Sequence, residues 1–183
     1  ILHELNKTIE SVDKKFEKYD IGMAASELKD FFWDKFCDWY IELSKCDVND
    51  NKEGTCATLV YVLTQILKML HPFIPFITEE IYLNLPVHDK TIVLTPFPEE
   101  IDALNFKEEH KLFEQVRDSI KSVRNIRAEM NVADNVRTSI FVLPVTNPDF
   151  VARNIGFIEK LAGGKSIELL ADDSAIDSSY VSV

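Results

Sequence analysis
Apolar residues near the start of the chain recur at intervals of three and four: Leu2, Leu5, Ile9, Val12, Phe16 and Tyr19. That spacing gathers them on one face of a helix. Asp20 can cap a second helix, predicted over about 21–45. The run Asp47-Val48-Asn49-Asp50-Asn51 is dense in turn formers and reads as a loop. A third helix is predicted near 53–71, with Cys56, Leu59, Val60, Leu63, Ile66, Leu67 and Leu70 on one face. His71-Pro72 ends it, because proline has no N–H to donate and disfavours helix in the residue before it. Pro75 fits the first turn of a fourth helix, about 75–85. Four amphipathic helices with short connections bury their apolar faces most simply as an antiparallel bundle.

Thr91-Ile92-Val93-Leu94-Thr95-Pro96-Phe97-Pro98 is extended and proline-punctuated, a connector or an edge strand. A long fifth helix is predicted over about 106–130, with an apolar stripe of Leu112, Val116, Ile120, Val123, Ile126 and Met130. Arg117, Lys121 and Arg124 lie together beside that stripe. Arg127 points towards its apolar side, so it needs a partner or an escape to the rim. A strand at 136–143, a helix at about 148–162, a strand at 166–170 and a further strand at 180–183 complete the pattern. The fold class expected is mainly α: an antiparallel helical bundle at 1–105, then a long helix with a small α+β subdomain at 106–183, truncated at its end. Charge supports the division. Residues 1–105 hold ten Lys, no Arg and nineteen acids, whereas 106–183 hold five Lys, five Arg and twelve acids.

Within the second helix, six aromatic residues fall in the ten positions 31–40, with carboxylates threaded between them. At the α-helical period Phe32, Trp33, Phe36, Trp39, Tyr40 and Leu43 share one broad arc, and Trp33, Phe36, Trp39 and Tyr40 are expected to anchor the core. Glu27, Asp34, Lys35, Asp38 and Glu42 fall opposite. Phe31 lands inside that charged sector. A Phe there either packs on a neighbouring element or offers a flat face on which a base can stack.

The composition narrows the classes of function. With 183 residues, 46% of them apolar, the chain can build one core or two small ones. A net charge of −11 argues against a non-specific nucleic-acid coat and against an anionic membrane surface. No apolar run approaches the roughly 20 residues needed to span a bilayer, and Ile1-Leu2-His3-Glu4 has no signal-peptide character. The missing initiator Met points to a piece of a longer chain. Cys37, Cys46 and Cys56 cannot all pair, and none forms a CxxC spacing, so reduced thiols in a cytoplasmic protein are expected. Adding His71 produces no known zinc spacing, and no metal site is expected. The five glycines form no phosphate-binding loop. No serine-elbow or metalloprotease pattern occurs, and the adjacent Glu79-Glu80 pair reads as the solvated start of a helix. No catalytic residue is expected on this chain.

Three segments in order carry a resemblance. Phe31-Phe32-Trp33-Asp34-Lys35-Phe36-Cys37-Asp38-Trp39-Tyr40-Ile41-Glu42 resembles the anticodon-binding helix of valyl-tRNA synthetases, within the class I aminoacyl-tRNA synthetases. Leu70-His71-Pro72-Phe73-Ile74-Pro75-Phe76-Ile77-Thr78-Glu79-Glu80-Ile81-Tyr82 is similar to a hallmark shared more loosely with the isoleucine, leucine and methionine enzymes. Val123-Arg124-Asn125-Ile126-Arg127-Ala128-Glu129-Met130-Asn131-Val132 resembles the valine enzyme's segment just after the bundle. The nucleotide-binding signatures, the editing insertion and the C-terminal coiled coil of that family are missing. The resemblance therefore implies a tRNA-reading piece of a valine–tRNA ligase, with ATP and magnesium held by a catalytic domain elsewhere and no cofactor here. Its implied partners are the anticodon loop of valine tRNA and that catalytic domain, with no DNA and no membrane, in the cytoplasm.

For the site, the resemblance and the stripe together nominate Phe31 as a stacking platform, with Glu27, Asp34 and Asp38 reading exocyclic amines and Lys35 beside them. Lys14, Lys15, Lys18, Arg117, Lys121 and Arg124 are candidate phosphate contacts. Two alternatives stay open: a helical protein-interaction module with no RNA role, and the equivalent domain of an isoleucyl- or leucyl-tRNA synthetase.

Overall fold
The computed structural model describes residues 1–47, 52–133, 135–144 and 147–170. The loop predicted at 48–51 and the strand predicted at 180–183 lie outside the described residues. The chain divides into two compact units, Ile1–Phe106 and Lys107–Val183.

The first unit is helical: α1 (Leu2–Glu17), α2 (Ile21–Asp30), a π-helix (Phe31–Ile41), α3 (Glu42–Asp47), α4 (Lys52–Leu70) and α5 (Pro75–Leu83). Its core joins Leu5, Ile9 and Val12 of α1, Ala24 and Leu28 of α2, Phe31 and Phe36 of the π-helix, and Val62, Ile66 and Met69 of α4. Because α4 is apolar around most of its circumference, the spacing alone misplaces its core face. Val62 and Met69 are buried, whereas Cys56 is exposed. Tyr19, assigned to the apolar face of the first helix, lies beyond its end and is 88% exposed. There it adopts φ 58°, and the Tyr19 and Asp20 N–H groups donate back to the Phe16 and Lys15 carbonyls. This is the left-handed helix stop that glycine usually occupies.

Two polar clasps fix the parts around α5. The Thr78 hydroxyl lies 2.8 Å from His71 Nδ1 and within 3.0 Å of the Ile74 and Pro75 carbonyls, closing the proline-bounded turn between α4 and α5. Glu79 Oε2 accepts the Ile92 N–H at 3.1 Å, so Glu79 tethers the connector rather than standing in solvent. That connector forms a short 3₁₀ turn, Ile92–Leu94, in place of an edge strand, and buries Ile92 against Leu67 and Tyr82. Further on, buried Asn6 donates to the Ile101 carbonyl at 2.8 Å and accepts the Ile101 N–H at 3.3 Å.

The second unit holds α6 (Lys107–Glu129), β1 (Thr138–Val142), α7 (Pro148–Arg153), α8 (Ile155–Ala162) and β2 (Gly164–Leu169). β1 and β2 pair in parallel, with Ile140 opposite Ile167. The single helix predicted at 148–162 is broken at Asn154, whose side-chain amide donates to the Phe150 carbonyl at 2.7 Å. Met130, assigned to the α6 stripe, falls past its last turn and is 56% exposed. Arg127 finds the partners that its position demands. Its guanidinium donates to Thr138 Oγ1 at 3.1 Å, the Val136 carbonyl at 2.6 Å and the Ala133 carbonyl at 3.3 Å.

Candidate nucleic-acid interface
The π-helix decides which side chains reach solvent. Its hydrogen bonds close over five residues rather than four, so each turn holds more residues than an α-helical turn and an α-helical projection drifts across it. Phe31 and Phe36 are five apart, and both are buried, at 4% and 3% exposure. Phe31 therefore belongs to the core, and its expected place on the charged face is corrected. Trp33, expected to anchor the core, is instead 60% exposed. Its ring meets Phe32 edge-on at 6.4 Å between centroids. Phe32 stacks on Phe36 at 6.3 Å, and Phe36 meets Tyr40 at 6.2 Å. A ladder of packed rings thus holds the base of the exposed tryptophan. At the α-helical spacing Phe31 continues the buried face of Ala24 and Leu28, at intervals of four and three, whereas Trp33 falls away from it.

The acids separate into engaged and open groups. Glu27 is half-buried, accepts from Ser11 Oγ at 2.8 Å and pairs with Lys15. It is a joint between α1 and α2, and both Glu27 and Lys15 are thereby taken up within the bundle. Lys35 lies 3.4 Å from Glu4, and Lys14 pairs with Glu10. Asp34 and Asp38 are exposed and make no hydrogen bond or ion pair among the described residues. Asp34 directly follows Trp33 in sequence, and Asp38 lies five positions after it. Lys18 is exposed near the α1 stop. Burial, with the Asp38 charge adding to it, pushes the Cys37 thiol above its ordinary pKa, so it stays a neutral thiol behind this surface.

The basic stripe of α6 serves its own unit. Arg117 is partly buried and bonds Glu114 at 2.6 Å. Arg124 Nε donates to the Leu161 carbonyl at 2.7 Å, tying α6 to the end of α8. Lys121 is exposed on the same helix. Two of the three cations expected to contact phosphates are thus occupied in holding the fold. Among the described residues, no three His, Cys, Asp or Glu side chains are grouped so as to hold a metal ion, and no helix is long and apolar enough to cross a membrane.

Sequence comparison gives the class of this helical bundle. Residues 1–142 match the family model of the anticodon-binding domain of tRNA ligases, and the chain belongs to that family. Its relatives narrow the class. It is 40% identical over 166 residues to the valine–tRNA ligase of Pseudothermotoga lettingae, covering 90% of this chain and 19% of that protein. It is 39% identical over 174 residues to that of Clostridium tetani, covering 93% and 20%. Over 189 aligned residues it is 35% identical to that of Streptococcus pyogenes, covering 100% and 21%. The chain spans about a fifth of the length of these curated relatives.

Proposed function
We propose that this chain reads the anticodon loop of valine tRNA on behalf of a longer valine–tRNA ligase. Aminoacylation, with its ATP and magnesium, is carried out elsewhere in that polypeptide, in the cytoplasm. The observation that carries the reading is the exposed Trp33 beside two open carboxylates, Asp34 and Asp38, in a chain of the anticodon-binding family.

Single-stranded loops are recognised by splaying out bases, stacking them on aromatic rings and bonding their edges. The valine anticodon has A in the middle and C in the third place. Both bases carry exocyclic amines, which donate, and ionised carboxylates only accept. Trp33 supplies the stacking face in place of Phe31, and Asp34 and Asp38 supply the acceptors. The acidity of the first unit fits such a reader, since the carboxylates address bases while Lys18 meets a phosphate.

Fluorescence anisotropy tests this reading with a valine anticodon stem-loop and with the same loop altered at its middle and third bases. The valine loop should bind more tightly, and affinity should fall as salt rises. Trp33→Ala should cost about 1–3 kcal/mol of affinity, the usual value of one base–aromatic stack. Asp34→Asn or Asp38→Asn should reduce the preference between loops more than the affinity itself. Equal binding of both loops by the unmodified chain would overturn the assignment.

A further inference from the structure
Away from the π-helix, one face of α4 and the chain after α5 enclose an open cleft of about 550 Å³. Tyr61, Gln65 and Lys68 enter it from α4, at intervals of four and three that keep them on one helix face. Tyr82, Pro86, Val87, His88 and Asp89 form the remaining wall. That wall is fixed. Tyr82 is 2% exposed, its hydroxyl accepts the Asp89 N–H at 3.0 Å, and its ring meets His88 at 6.1 Å between centroids. His88 Nδ1 lies 2.9 Å from the Asp89 carbonyl oxygen. A carbonyl can only accept, so Nδ1 carries a proton.

The α4 side is chemically open. The Tyr61 hydroxyl, the Gln65 amide and the Lys68 ammonium have no hydrogen-bond or ion-pair partner among the described residues. Burial raises the pKa of the Tyr61 phenol, which keeps it protonated and able to donate. Ligand sites combine mostly apolar or aromatic walls with a few convergent polar groups. Here the unpartnered polar groups are of three kinds, a phenol, an amide that both donates and accepts, and one cation, while the Asp89 carboxylate on the facing wall accepts from the Tyr82 hydroxyl.

We propose that this cleft binds a single nucleotide unit of single-stranded RNA, with its base against Tyr61, Val87 and His88, its base edge on Gln65 and its phosphate on Lys68. A base supplies a flat face for the rings and an edge with both donors and acceptors, which an amide can match. One phosphate suits one ammonium. An apolar peptide segment fits less well, since it would cover the phenol, amide and ammonium without bonding them, at a desolvation cost. The site shares no residue with the anticodon reading. The choice of RNA over a free nucleotide rests on membership of a tRNA-ligase family.

The test is an NMR titration of the full 183-residue chain, following backbone amide shifts, with adenosine 5′-monophosphate in one arm and a single-stranded tetra-adenosine RNA in the other. The RNA should shift amides within 61–68 and 86–89, and the mononucleotide should shift the same set more weakly. Lys68→Ala should weaken RNA binding at this set about tenfold, the worth of one charge-assisted bond, and Gln65→Glu should weaken it by removing the amide donor from the base edge. Both variants change helix-surface side chains, and unchanged shifts elsewhere would report an intact fold. Asp34→Asn should leave this binding unaltered. Three outcomes overturn the proposal: no shift at these residues with RNA, binding of the mononucleotide alone, or unchanged binding by Lys68→Ala. Shifts confined to 31–42 would overturn it while leaving the anticodon reading in place. Loss of stem-loop preference with binding retained at the cleft would do the reverse.

Discussion
Phe31 and Trp33 are two positions apart, yet their truncations should have unlike effects. Phe31→Ala empties a core site and should destabilise the first unit by about 3–5 kcal/mol, read from a urea unfolding curve. Trp33→Ala removes an exposed ring and should leave that curve almost unmoved, so its loss of affinity can be assigned to binding. Cys37 gives a second measurement on this segment. Its folded pKa is raised, so the protonated thiol contributes stability in full below the unfolded value, and that contribution fades as pH rises through the folded one. Iodoacetamide should therefore modify Cys37 more slowly in the folded chain than in urea, with the folded rate-against-pH curve displaced upward, as peptide mass spectrometry would show. At this scale the residue types were legible in the sequence and the environments were not. Aromatics among carboxylates mark an amphipathic segment, but which ring faces out depends on the elements of the bundle against which Phe31 and Phe36 pack.

Among the elements, the periodic spacing located every long helix, because each has a face buried against another. It was weaker at the joins. Gly163, whose φ is 74°, is a helix stop of the recognisable glycine kind. The stop at Tyr19 is not, since an aromatic residue with φ 58° violates the preference that makes such stops recognisable. The proline-bounded turn between α4 and α5 was located by its prolines, yet its internal bond could not be foreseen. Thr78 is 1% exposed and joins His71 to the start of α5. Thr78→Val keeps the volume and removes the hydroxyl, leaving His71 Nδ1 without this partner. The change should cost about 1–3 kcal/mol, the penalty of an unmet buried polar group, measured by thermal or urea unfolding. The same measurement on Asn84→Ala should show far less, because that amide bonds Glu80 on an exposed surface.

Across the whole molecule, the shift from an all-lysine, acid-rich half to one with arginine was visible in the sequence, and the structure divides at Phe106 and Lys107. The reason for arginine in the second unit was only half legible. Its position on α6 said that Arg127 needed partners, and the partners proved to be two backbone carbonyls and a hydroxyl six to eleven residues further on. Gly163 belongs to the same arrangement. A Cβ added there would stand 3.2 Å from the Arg127 guanidinium carbon, besides straining a left-handed backbone. Gly163→Ala should thus lower the stability of the second unit by more than about 1 kcal/mol, the ordinary cost of that conformation. Hydrogen exchange should also quicken at amides near 133–138. A planar group that touches the end of α8, the loop after α6 and the first residue of β1 makes these segments report on one another. A methyl group at one would register at the other two, so variants across this unit should fail in concert, as a single cooperative block.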